Sequence, residues 1–179
     1  MSVEIQNVVA VATLGLKLDL LSIMKVFRNV DYRPEKFPGL VYRLKRPKTS
    51  TLIFMTGKMV CTGAKSEKQA RSAVRKVVRE LRRQGFIISR SPKIDIVNIV
   101  ASANLHGKID LEAMSDDLEN VMYEPEQFPG LIYRMTEPKV VLLVFASGKL
   151  VITGAKREEQ VHEAADKIRA ILIDHELLH

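Results

Sequence analysis

Leu52-Ile53-Phe54-Met55-Thr56-Gly57-Lys58-Met59-Val60-Cys61-Thr62-Gly63-Ala64-Lys65 sets two apolar runs around one glycine. Ninety-one residues later, Leu143-Val144-Phe145-Ala146-Ser147-Gly148-Lys149-Leu150-Val151-Ile152-Thr153-Gly154-Ala155-Lys156 restates it. Short runs rich in β-branched and aromatic residues, bounded by glycine, read as strands, and a glycine in a tight connection makes them a hairpin. Neither parity of Leu52–Met55, nor of Leu142–Phe145, is polar. A half-solvated antiparallel sheet should alternate apolar and polar residues, so both faces of these strands need cover.

The restatement extends over the whole chain. Residues 1–88 and 92–179 share 36 identities in 88 ungapped positions. Two halves, 1–90 and 91–179, therefore share one fold, and a pseudo-twofold molecule is expected. The charges break that symmetry: residues 1–90 hold 19 basic and 6 acidic side chains, residues 91–179 hold 9 and 15. The halves must present different surfaces to other partners.

Each half reads as strand, short helix, several strands, long helix. Ile5–Leu14 is a strand, and Asp19 caps a short helix through Phe27. Leu40–Leu44, Thr49–Met55 and Lys58–Thr62 are strands. Ala70, Ala73, Val74, Val77, Val78 and Leu81 then fall on one helical face, with Ser66 and Gln69 as a capping box and Gly85 at the end. Val161, Ala164, Ala165, Ile168, Ile171 and Leu172 repeat the stripe. One long helix per half covers one sheet face. The other face is either a sheet-on-sheet dimer contact or a binding surface, since large apolar patches mark interaction sites.

Composition narrows the class. A single cysteine, Cys61, excludes a disulfide framework and a multi-cysteine zinc site. The opening residues lack a basic-then-apolar signal layout and no run of about 18 apolar residues occurs, so a soluble intracellular protein without membrane contact is expected. A net charge of +7 favours an anionic partner.

Three motifs recur in both halves: Asn-x-Val (Asn7 and Val9; Asn98 and Val100), Tyr-x-Pro-Glu-x-Phe-Pro-Gly-Leu-x-Tyr-Arg (32–43; 123–134), and Leu-x-Phe-x-x-Gly-Lys-x-Val-x-Thr-Gly-Ala-Lys (52–65; 143–156). Together they closely resemble the TATA-box-binding protein family, and the Phe-Pro-Gly wording resembles its archaeal members. The resemblance implies an α+β fold: a saddle-shaped, pseudo-twofold, ten-stranded antiparallel sheet with four helices on its convex face, both repeats forming one continuous saddle. It implies a general transcription initiation factor, not an enzyme and without a cofactor or metal. Such a factor binds the TATA box in the DNA minor groove, bends the DNA and nucleates the preinitiation complex. The location would be cytoplasmic, at the nucleoid, for an archaeal protein and nuclear for a eukaryotic one.

The resemblance also assigns residues. Phe37, Phe54, Phe128 and Phe145 match the intercalating pairs. Asn7 and Asn98 match the central base contacts, with Thr62 and Thr153 as hydroxyl neighbours. An Asn amide donates to adenine N3 or thymine O2, the minor-groove acceptors of an A·T pair. Val9, Val60, Val100, Val151, Leu52 and Leu143 match the apolar floor. Arg43, Arg134, Lys58, Lys149, Lys65 and Lys156 match phosphate contacts, which release counterions. Glu124 and Glu126 match the contact with transcription factor B, ahead of the RNA polymerase machinery; the counterparts Arg33 and Glu35 break that acidic pair. Without DNA, the apolar face implies a weak homodimer.

Two other signals carry less. His175-Glu176-Leu177-Leu178-His179 has zincin spacing, but it ends the sequence and offers no third ligand. Gly63-Ala64-Lys65-Ser66 reads as strand end and helix cap rather than a phosphate loop. Cys61 alternates with Val60 and Thr62, which points it to the helix side as a small buried hydrophobe. A sheet surface that stacks unpaired RNA bases is the alternative reading.

Overall fold

The computed structural model describes residues 1–179. In chain order the elements are β1 (Ser2–Thr13), α1 (Leu20–Val26), β2 (Val30–Tyr32), β3 (Leu40–Lys45), β4 (Lys48–Ile53), β5 (Lys58–Ala64) and α2 (Glu67–Arg83). The series recurs as β6 (Lys93–Asn104), α3 (Leu111–Asp117), β7 (Val121–Met122), β8 (Leu131–Thr136), β9 (Lys139–Val144), β10 (Lys149–Ala155) and α4 (Glu158–Asp174). The strands form one open antiparallel sheet of ten, in the order β2-β3-β4-β5-β1-β6-β10-β9-β8-β7. The edge strands β2 and β7 complete the ten that the resemblance implies, and strand periodicity alone does not reveal them. At three and two residues they are too short for alternation to register.

The chain divides into two compact units, Asn7–Val97 and Met1–Gln6 with Asn98–His179. In the first, one parity of each strand except the short edge strand β2 is buried: Val8, Ala10 and Ala12 in β1, Leu40, Tyr42 and Leu44 in β3, Ile53 in β4, Met59 and Cys61 in β5. The α2 stripe of Ala70, Ala73, Val74, Val77, Val78 and Leu81 is buried with them, and α2 packs on β5 and β3. Fully burying each Val, Leu or Ile contributes about 1.5–3 kcal/mol, so this layer dominates the unit's stability. Burial pushes the Cys61 thiol up, as fits a packing residue. The opposite parity, with Val9, Val11, Val41, Leu52 and Val60, is only half-buried. The strands are apolar on both faces, yet the helices cover one.

Helix ends follow local chemistry. Asp19 accepts the Ser22 N–H at the start of α1, and Asp110 accepts the Ala113 N–H at the start of α3. Ser66 accepts the Gln69 N–H at 3.0 Å, a cap worth about 1 kcal/mol. The return arm differs from the expected capping box: Gln69 Oε1 accepts from Lys65 N–H, one residue further out. Gly85 closes α2 with a φ of +92°. In the second unit Arg157 supplies no side-chain cap, and Glu176 takes the left-handed position with a φ of +57°. The chain end is held instead by two backbone bonds between Lys108 and His179 and by buried Leu177. Because α4 stops at Asp174, His175 and His179 do not share a helical face. His175 lies 3.9 Å from Asp117, and no helix is long and apolar enough to cross a membrane.

Candidate nucleic-acid interface

Each compact unit carries one complete set of the expected residues on its helix-free sheet face. In Asn7–Val97, strand register lines up Val41, Leu52, Val60 and Val11 as one cross-strand row, and Arg43, Ser50 and Thr62 as the next. In the other unit the rows are Ile132, Leu143, Val151 and Ser102, then Arg134, Val141 and Thr153. The half-buried side chains make a floor that is mostly methyl groups, with few hydrogen-bonding atoms.

A β-bulge orients the asparagines. Between the pairs Val8–Ala64 and Ala10–Cys61, one β1 residue, Val9, faces two β5 residues, Thr62 and Gly63. Gly63 takes a φ of +97°, which glycine adopts without steric cost. Its N–H leaves the ladder and donates to Asn7 Oδ1 at 2.7 Å. Gly154 donates to Asn98 Oδ1 at 2.8 Å across the equivalent irregularity. A backbone N–H only donates, so the facing atom must be the amide oxygen. The Nδ2 groups are thereby turned from that bond, and Asn98 Nδ2 itself reaches Thr153 Oγ1 at 3.5 Å with one of its two N–H groups. In the other unit, Thr62 Oγ1 donates to Ser50 C=O at 3.4 Å.

The phenylalanines form one pair per unit. Phe37 and Phe54 meet edge-on with centroids 5.9 Å apart and planes at 65°; Phe128 and Phe145 repeat this at 5.9 Å and 67°. Phe37 is 44% and Phe128 40% exposed, far more than a core ring tolerates. A turn over Pro34 and Glu35 presents Phe37, with the Lys36 and Phe37 N–H groups both donating to Arg33 C=O. Beneath each pair lies a buried glycine, Gly39 or Gly130, whose missing side chain leaves the ring its space.

The expected cations separate into two places. Arg43 and Lys65 border one open groove of about 660 Å³ with Lys48; Arg134 and Lys156 border another of about 610 Å³ with Lys139. Lys58 and Lys149 stand at the hairpin ends of β5 and β10, opposite Thr13 and Asn104. Arg43, Lys48 and Lys58 have no carboxylate partner within the chain. Glu124 and Glu126 are both exposed in the turn that presents Phe128, whereas Arg33 pairs with Asp31 at 3.3 Å. The sequence reading missed Lys48 and Lys139, and likewise Gly39 and Gly130. All four recur unchanged between the halves, which places them among the 36 shared positions without singling them out.

The model of the family described as transcription factor TFIID (or TATA-binding protein, TBP) matches residues 2–84 and again 93–175. The chain belongs to the TATA-binding protein family. A TATA-box-binding protein of Sulfurisphaera tokodaii is 55% identical over 172 residues, covering 96% of this chain and 87% of that protein. One from Pyrodictium occultum is 59% identical over 165 residues, covering 92% and 83%. Among solved structures, Methanococcus jannaschii TBP superposes with a TM-score of 0.87 at 44% identity, over 97% of this chain and 99% of that one. Each of the two matched ranges contains one set of the expected residues.

Proposed function

We propose that this TATA-binding protein family member is a general transcription initiation factor without enzymatic activity, acting on A·T-rich duplex DNA. In this reading both half-sites engage the minor groove of one TATA element, bend it and nucleate the preinitiation complex at the nucleoid. The observation that carries the reading is the asparagine geometry. Gly63 and Gly154 hold Asn7 and Asn98 by the amide oxygen, with the amide donors turned from that bond, on a floor of Val9, Val60, Leu52, Val100, Val151 and Leu143. A·T pairs offer only acceptors in the minor groove, whereas G·C adds a donor that would meet these amides unfavourably. Phe37, Phe54, Phe128 and Phe145 act as wedges. Unstacking costs a few kcal/mol per step among minor-groove architectural proteins, this family included. Arg43, Arg134, Lys58, Lys149, Lys65 and Lys156 neutralise phosphates, and Glu124 with Glu126 recruits transcription factor B. In the absence of DNA, the same apolar face supports a weak homodimer.

One experiment tests the core of this. Gel shifts compare a TATA duplex, a G·C-rich duplex and unpaired RNA over a salt series. Preference for the TATA duplex, with affinity falling steeply as salt rises, is expected. Stronger retention of unpaired RNA would overturn the reading in favour of a base-stacking sheet.

A further inference from the structure

The two long helices carry opposite charge at equivalent places. On α2, Lys68, Arg75, Arg79 and Arg83 are exposed along one ridge. None has an acidic partner within the chain. On α4 the ridge at the matching places holds Glu159, Glu163 and Asp166, then Ala170 and Asp174, all exposed. Glu159 and Glu163 make exposed local pairs with Arg157 and Lys167, at 3.2 and 3.7 Å. Asp166 and Asp174 have no basic partner.

Each ridge costs its own helix in part, although Arg83 at the end of α2 and Glu159 at the start of α4 suit the dipole and Glu163–Lys167 is a favourable i, i+4 pair. Like charges at i, i+4 repel, as in Arg75–Arg79, Arg79–Arg83 and Glu159–Glu163. Lys68 sits in the first turn of α2, where the helix dipole disfavours a cation. Asp174 sits in the last turn of α4, where it disfavours an anion. What sets the ridges apart from a merely solubilising face is one sign of charge along each.

We infer that the α2 ridge of one copy docks antiparallel on the α4 ridge of a second copy of this chain. Each ridge spans about 22 Å at 1.5 Å per residue. Set antiparallel, Lys68 faces Asp174, Arg75 faces Asp166, Arg79 faces Glu163 and Arg83 faces Glu159. Three pairs share one register and Arg75–Asp166 is offset from it by one residue, about 1.5 Å, within reach of long side chains, and the two residues that oppose their own dipoles neutralise each other. The contact joins unlike patches, so it builds a dimer if both pairs of helices meet at once and a chain if they do not. The α2 ridge lies on the helix side, away from the asparagine and phenylalanine face, so the contact leaves the proposed DNA surface open.

Charge complementation tests this. Arg75→Glu with Arg79→Glu sets two acidic residues at the centre of the α2 ridge against the acidic α4 ridge; Glu163→Arg with Asp166→Arg sets two basic residues at the centre of the α4 ridge against the basic α2 ridge. Sedimentation velocity is run at about 0.05 M salt with a saturating short TATA duplex, which occupies the sheet face and removes any association through it. Wild type is expected to associate, and to do so roughly tenfold more weakly at about 0.5 M salt. Each variant alone is expected to stay unassociated while binding the duplex as wild type does, which controls for folding. The two variants mixed one to one are expected to recover association. Wild type that stays monomeric at low salt, or a mixture that fails to associate, would overturn the proposal. So would an acidic variant that loses affinity only for long duplexes, which would mean that the ridge meets flanking phosphates.

Discussion

A methyl group on Gly39 would meet the edge of the Phe37 ring at 2.7 Å and the Phe54 ring at 3.1 Å. The glycine thus sets how closely the two rings can approach. Gly130 stands in the same relation to Phe128 and Phe145, at 2.7 and 3.0 Å. Phe37 is at the end of a flexible, exposed side chain and can yield. Gly39→Ala is therefore expected to shift the melting temperature by only a few degrees. Duplex bending should fall and affinity for a TATA duplex should drop about tenfold, because a misplaced wedge forfeits contacts that the bend permits. Calorimetry and end-to-end energy transfer on a labelled duplex check the two halves of this prediction.

Asn7 separates folding from recognition. Asn7→Asp keeps an oxygen for the Gly63 N–H but replaces the amide donors with a carboxylate oxygen. Urea unfolding should change little, while TATA binding should fall by more than tenfold. Asn7→Ala leaves the Gly63 N–H without its acceptor and should cost about 1–3 kcal/mol of stability as well. Equal stability of the two variants would remove the bulge bond from this account.

The partner loop predicts a different split. Glu124→Arg with Glu126→Arg should abolish the ternary complex with transcription factor B and DNA in a supershift assay. Binary DNA binding should survive, since both side chains are exposed beside the wedge rather than under it. Parallel loss of both would assign the loop to supporting Phe128.

Tyr42 gives the fold an alkaline limit. Its hydroxyl is buried and donates to Glu80 Oε1 at 2.5 Å, and the ring meets Phe27 edge-on. Burial first, and then the bond to Glu80, push the phenol well above its ordinary value near 10. The folded chain keeps a proton that the unfolded chain releases. The resulting stability is fully present below about pH 10 and is lost as the pH rises beyond it. Tyr42→Phe should flatten that alkaline slope in denaturant titrations, and should cost about 1 kcal/mol at neutral pH through the lost hydrogen bond.

Much of this was legible from the residues. The apolar parity of Leu52–Met55, the single stripe on residues 70–81 and the 91-residue repeat together required a sheet with one face under helices. Asp19, Ser66 and Gly85 marked helix ends because their local chemistry needs no tertiary context. The orientation of Asn7 was not legible, because it depends on a bulge that skips one residue across two strands 56 positions apart in sequence. Gly39 follows Pro38 as a turn glycine would, and its role as clearance for Phe37 and Phe54 follows only once β4 returns beside it. Lys48 and Lys65 share a groove because β4 and β5 fold back on each other, a proximity that no local window contains. The opposed helix ridges were half visible in the charge imbalance, and needed the helical faces to become a surface.

The limits of the two compact units do not follow the limits of the two repeats. Residues 92–97 fall with the body of the first repeat, while Met1–Gln6 fall with the body of the second, where Gln6 Nε2 donates to Ser102 Oγ at 2.8 Å. Each body is therefore completed by the opening segment of the other repeat. The crossing makes damage asymmetric. Trimming Met1–Gln6 is expected to strike the half of the molecule encoded furthest from the cut, through the lost Gln6–Ser102 bond, more than the repeat that adjoins it.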